Sequence, residues 1–265
     1  MISFLEEAPW YLSVIIVLFS AATFAILGLL IVRNSTNKGH FKEHHDVAGF
    51  TFGIVGVIYA VLLSYIVVDV HDRFNQVHQN ITLEANLAVE LYRDSAVFPK
   101  DIKENIKKQI HQYIEAMAKG EPEFDAKGKV DPKIHDAVSL LWKAYYDFEP
   151  ITNREKIWYA ESVKKLNDFN RARLLRFFNS NTSIGSMMWT ILLVGACITI
   201  SFMYFFRVEN VWYQATMTGL LASFIALMLF LIQSLDTVFS GDIRVSTENF
   251  IEVRQFLGVI DQETK

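Results

Sequence analysis

Residues 49–98 read GFTFGIVGVIYAVLLSYIVVDVHDRFNQVHQNITLEANLAVELYRDSAVF. Up to Val68 the stretch carries no charge; from Asp69 onward acids, arginines and amides appear. Yet neither Pro nor Gly breaks the chain between Tyr59 and Phe98. The two parts therefore read as one helix that begins in lipid and continues into water. Steps of four and three from Gly49 visit Gly53, Gly56, Ala60, Leu63, Val67, Val70, Phe74, Val77, Ile81, Glu84, Ala88, Leu91 and Ser95. This seam uses small residues where close approach in lipid needs them, then larger apolar ones where a wet helix pair needs them. A helix of roughly 50 residues would be about 75 Å long, more than one small chain can cover, so the seam predicts identical neighbours.

Beside the seam runs a polar row: Asp69, Asp72, Gln76, Gln79, Asn86 and Glu90, with Leu83 as its apolar member. It reads as a solvated face, or as the lining of a wet vestibule built from repeated copies, where acidic rings concentrate cations. Glu84 stands alone among apolar seam residues. A buried carboxylate is costly unless paired, so it predicts an arginine partner among Arg93, Arg171 and Arg173, or else a gate that responds to protonation.

Three further uncharged stretches are long enough to span a bilayer: Trp10 to Val32, Met187 to Phe206 and Val211 to Leu235. With 52% hydrophobic residues in 265, the chain is richer in apolar side chains than an ordinary soluble domain. The leading flank has Glu6 and Glu7 but no Lys or Arg, so the first stretch is expected to be retained rather than cleaved as a signal peptide. The expected plan is a first membrane pair over residues 1–70, a helical extramembrane domain over 71–183, a second pair over 184–236 and a tail over 237–265. Small-residue faces at Gly49, Gly53, Gly56 and Ala60, and at Gly219 in the last span, are candidate helix contacts. Asp236 closes that span, where a boundary carboxylate is a candidate functional group.

The polar section reads as helical throughout. Ile102, Ile106, Ile110, Ile114 and Met117 form one face, and residues 133–148 form another helix. Thr152 followed by Glu155 is a capping box that starts a third, whose stripe is Ile157, Ala160, Val163, Leu166, Asn170, Leu174 and Phe177. From Asp69 to Ser186 lysines and arginines balance acids at 18 each, which argues against a nucleic-acid partner. Cys197, the sole cysteine, leaves no internal disulfide. Nucleophile elbows, phosphate loops and cofactor fingerprints are absent, so neither an enzyme nor a cofactor is expected. His40, His44, His45 and Asp46, and separately His71, Asp72 and His78, are loose sets with poor metal-ligand spacing.

Several segments resemble the bestrophin-like family of membrane proteins. They are Gly56–Leu63 (GVIYAVLL); Glu84-Ala85 with Leu91–Asp94 and Pro99; Asn170–Leu174 (NRARL) ahead of Trp189; and Leu235-Asp236 with Phe239–Asp242 and Val245-Ser246. Val238 stands where the family pattern has proline, and Gly185 stands near another of its prolines. The resemblance implies four spans with a helical cytosolic domain and a distant likeness to the oligomeric bestrophin anion channels.

The expectation is an all-α membrane protein that forms a homo-oligomeric pore of four or five copies, lined by the second helix and passing small ions. The resemblance implies anions, the acidic row cations. The alternative is a non-conducting scaffold or sensor that holds a partner through its helical domain. Lys and Arg near the span ends place both termini and that domain in the cytoplasm of a cell inner membrane.

Overall fold

The structure is a computed structural model that describes residues 10–35, 45–119, 132–180, 183–206, 208, 210–236 and 248–263. Among these residues every long regular element is an α-helix: α1 (Trp10–Ser35), α2 (His45–Asp94), α3 (Lys100–Ala118), α4 (Pro132–Tyr146), α5 (Asn153–Ser180), α6 (Ser186–Phe205), α7 (Val211–Asp236) and α8 (Glu248–Glu263). The histidines His40 and His44, the connection at residues 237–247 and Arg207 lie outside the described residues, as do the side chains of His45 and Asp46. Four helices, α1, α2, α6 and α7, are long and apolar enough to cross a membrane. Lipid offers no hydrogen-bond partner to a backbone, and a helix satisfies its own, which is why these stretches take this form.

The chain divides into two compact units, residues 1–74 with 182–244 and residues 75–181 with 245–265. α2 runs unbroken for 50 residues and contributes its first part to one unit and its last part to the other.

In the apolar unit α1 lies along α7, and Tyr59, Leu63, Ile66 and Val70 of α2 pack with Leu192 and Ala196 of α6 and Ile225, Ile232 and Leu235 of α7. Two tyrosines key this packing. Tyr59 Oη donates to the carbonyl of Leu192 at 3.0 Å, and its ring lies where a Cβ on Gly195 would come within 2.6 Å. Tyr204 Oη donates to the carbonyl of Ala25 at 3.1 Å, and a Cβ on Gly28 would come within 2.6 Å of that hydroxyl. At Gly219 a Cβ would meet Ile26 of α1 at 3.2 Å. A Cβ added at Gly53 or Gly56, by contrast, would meet nothing within 4 Å, and Ala60 is exposed. Their face of α2 is uncovered by the protomer, while the seam is buried at Leu63, Val70, Val77 and beyond. Arg33 closes the end of α1 by donating to the Val208 carbonyl at 3.0 Å and to Gln214 Oε1 at 2.7 Å.

In the polar unit α3 packs on α4 and α8. Ile106, Ile110, Ile114 and Met117 are buried, as the periodicity predicts, against Ile134, Val138 and Leu141 of α4 and Phe250 and Leu257 of α8. The capping box closes at the start of α5: Thr152 N–H reaches Glu155 Oε2 at 2.9 Å and Glu155 N–H reaches Thr152 Oγ1 at 3.1 Å. The buried face of α5 differs from the predicted stripe. Ser162, Leu166, Phe169, Ala172, Arg173 and Arg176 are buried, while Ile157 and Leu174 are exposed. Polar side chains that an apolar count passes over share this face: Arg176 is held inward by Glu84, and Ser162 Oγ lies 3.4 Å from Asp94.

A Gly195→Ala substitution is expected to lower the stability of the purified protein by about 1–3 kcal/mol, because the added methyl overlaps the Tyr59 ring. Gly53→Ala, which meets open space in the protomer, should leave the unfolding of dissociated protomers unchanged. Thermal unfolding in detergent compares the two.

Candidate functional site

The long helix α2 carries most of the candidate residues, and they sort by what they meet. Each member of the polar row, Asp69, Asp72, Gln76, Gln79, Leu83, Asn86 and Glu90, is exposed on α2. Their 3–4 spacing puts them on one helix face. His71 and His78 are exposed as well, and among the described residues no three His, Cys, Asp or Glu side chains converge as a metal site would need.

At the edge of the apolar unit Arg73 stands between two carboxylates. Its Nη2 is 2.8 Å from Asp69 Oδ2, one helical turn away, and its Nη1 is 3.8 Å from Asp236 Oδ1 at the end of α7. The Asp236 side chain is only 6% exposed, and the same oxygen accepts the backbone N–H of Ile184 at 2.9 Å, just ahead of α6. Thus two residues separated by most of the chain, Asp69 and Asp236, meet on a cation that no sequence motif marks.

Glu84 is fully buried in the polar unit. Its partner is Arg176, whose Nε donates to Glu84 Oε2 at 2.7 Å; Tyr113 Oη donates to Oε1. Both partners are themselves buried, and Tyr113 stacks edge-on against Phe169 and Phe250. The sequence proposed Arg93, Arg171 or Arg173. Arg93 instead lies over the Phe256 ring at 5.1 Å, Arg171 is exposed, and Arg173 is buried with Nη1 3.4 Å from Asn170 Oδ1. Arg176 is one turn past Arg173, on the same helix face, so the expected chemistry is present with its partner displaced by three residues.

Glu90, the last member of the row, is bridged by Lys165 Nζ at 3.1 Å; the same nitrogen is 2.9 Å from Asp94. Burial alone would lower the Lys165 affinity for its proton, but the two carboxylates outweigh it and raise it. A further cluster ties down α8. Asp261 accepts from Tyr92 Oη, from Lys107 Nζ at 3.1 Å and from His111 Nε2 at 3.0 Å. Desolvation pushes the Asp261 carboxyl up, but these donors prevail and hold it below the usual carboxylate range. Its contribution is therefore complete above the ordinary aspartate range and is lost as pH falls through the depressed value. Nothing in the local sequence signals this cluster, in which Lys107 and His111 lie 150 or more residues from Asp261.

A family model described as the Bestrophin-like domain matches residues 18–250. Among solved structures, a membrane protein carrying a proline-to-alanine substitution superposes with a TM-score of 0.70 at 11% identity, covering 91% of this chain and 97% of that one. A bacterial bestrophin homologue from Klebsiella pneumoniae, with a leucine-to-threonine substitution, gives a TM-score of 0.69 at 12% identity over the same shares. At such identities the likeness is one of fold. No curated protein matches the chain in sequence.

Removing either partner of the Glu84–Arg176 pair strands a buried charge. Glu84→Ala and Arg176→Ala are each expected to cost about 3–5 kcal/mol, whereas replacing both by apolar residues of similar size should recover most of that loss. Denaturant titration of the single and double variants measures the difference.

Proposed function

The chain belongs to the bestrophin-like family, and from that premise we propose that it is a homo-oligomeric ion channel of the cell inner membrane. Four or five copies surround an axis lined by α2. The observation that carries this reading is the row from Asp69 to Glu90, exposed at every member on a single unbroken helix. A protomer that leaves polar side chains and the Gly53–Gly56 face of the same helix uncovered is suited to assembly with its own copies. In such a ring the row lines water, the small residues of α2 meet a neighbouring helix, and Asp69 and Asp72 place acids at the mouth. Rings of carboxylates draw cations and repel anions, which favours cation passage over the anion passage suggested by the distant bestrophin likeness. Both termini and the polar unit lie on the cytoplasmic side in this reading, in keeping with the lysines and arginines near the span ends.

A second reading, a scaffold that holds a protein partner, has one observation in its favour. Tyr146, Ile151 and Ile157 are 75%, 83% and 70% exposed near the junction of α4 and α5. They lie outside α2, so substitutions test the two readings apart.

Purified full-length protein in liposomes is expected to pass current in asymmetric KCl. Replacing Asp69 and Asp72 together by Asn should reduce the potassium-to-chloride permeability ratio by roughly fivefold. A ratio that stays put removes these acids from the conducting path, and silence under every voltage and pH leaves the scaffold reading standing.

A further inference from the structure

The two acids nearest the spans are not equivalent. Among the described residues Asp72 has no ion pair, whereas Asp69 is held by Arg73 at 2.8 Å. Arg73 is no freely moving surface cation: its side chain is 22% exposed, and its other terminal nitrogen faces the nearly buried Asp236 at 3.8 Å. A carboxylate as buried as Asp236 needs a cation beside it, so the demand of Asp236 fixes the guanidinium next to Asp69. The Ile184 N–H, 2.9 Å from Asp236, fixes that carboxylate in turn. The result is a positive charge held by a buried anchor and presented at the root of the acidic row.

We propose that Arg73 is a specificity-determining residue: its anchored charge offsets the exposed Asp69, so that ion preference is set by the balance of Arg73 against Asp69 and Asp72 rather than by the acids alone. This rests on the channel reading above and deepens it. A unit charge repeated around a ring adds its field once per copy, and removing it alters the local concentration of a permeant cation by about threefold or more. Asp236 takes the part of anchor; being buried, it contributes less to the field at the mouth than an exposed acid does.

The test measures potassium-to-chloride permeability ratios of full-length protein in liposomes. Arg73→Gln is expected to raise the ratio by about threefold or more, opposite in sense to Asp72→Asn. Asp69→Asn combined with Arg73→Gln restores the net charge of the mouth and should bring the ratio back toward that of the parent. Where Arg73→Gln alone unseats Asp236 and prevents assembly, Arg73→Gln with Asp236→Asn removes the buried carboxylate together with its cation, and the ratio should again rise. A ratio that is unchanged or lowered in the Arg73 variants, while Asp72→Asn still shifts it, overturns the role of Arg73 and leaves the channel intact. A parent protein that passes no current overturns the channel reading, and this inference with it.

Discussion

A helix that starts in lipid and ends in water meets two different demands along one backbone. In lipid it must satisfy its own hydrogen bonds and is free to expose apolar side chains; in water it must bury an apolar face or melt. α2 answers both without a break. Its lipid part exposes Phe50, Val57, Ile58, Val61 and Tyr65, while its later part buries Val77, Ile81, Ala88 and Leu91. The rest of the chain is arranged around that requirement: α6 and α7 cover one face near the spans, and α3, α5 and α8 supply the cover farther along. The polar row of α2 and its Gly53–Ala60 face are among the surfaces that the protomer leaves uncovered.

Polar side chains do much of the specifying. An apolar contact tolerates sliding, but Glu84 accepts only donors in fixed places, and it finds them on α3 and α5. Lys165 joins α5 to two carboxylates of α2 in the same way. In the apolar unit the hydroxyls of Tyr59 and Tyr204 choose particular carbonyls, and glycines make room for their rings. These contacts set rotation and register, which a surface of leucines and valines leaves loosely determined.

The spans could be read from the sequence because charge is nearly forbidden in lipid, and the continuity of α2 because Pro and Gly are missing from its course beyond Tyr59. The start of α5 was legible because Thr152 and Glu155 form a local device. The buried face of α5 was not: Ser162, Arg173 and Arg176 face inward, and a count of apolar residues passes over them. Glu84 announced that it needed a cation, yet Arg176 lies 92 residues away, and only the fold could choose it from its neighbours. Gly28 and Gly195, which no periodicity singles out, are seats for tyrosine side chains. Within the candidate site the row itself was visible by periodicity, while the roles of Arg73, Lys165 and Asp261 became visible only once distant elements were brought together.

The account turns on whether one face of α2 meets the ions. The chain has a single cysteine, Cys197, so a Cys197→Ser background permits cysteines to be placed along the helix one at a time. Single substitutions Asp72→Cys, Gln76→Cys and Gln79→Cys would be compared with Val70→Cys, Val77→Cys and Ile81→Cys by adding a charged, water-soluble thiol reagent during current recording. The account predicts that current changes at the first three positions and not at the second three, which are buried in the protomer. Currents that ignore modification along the row, or that respond equally on every side of the helix, would contradict it.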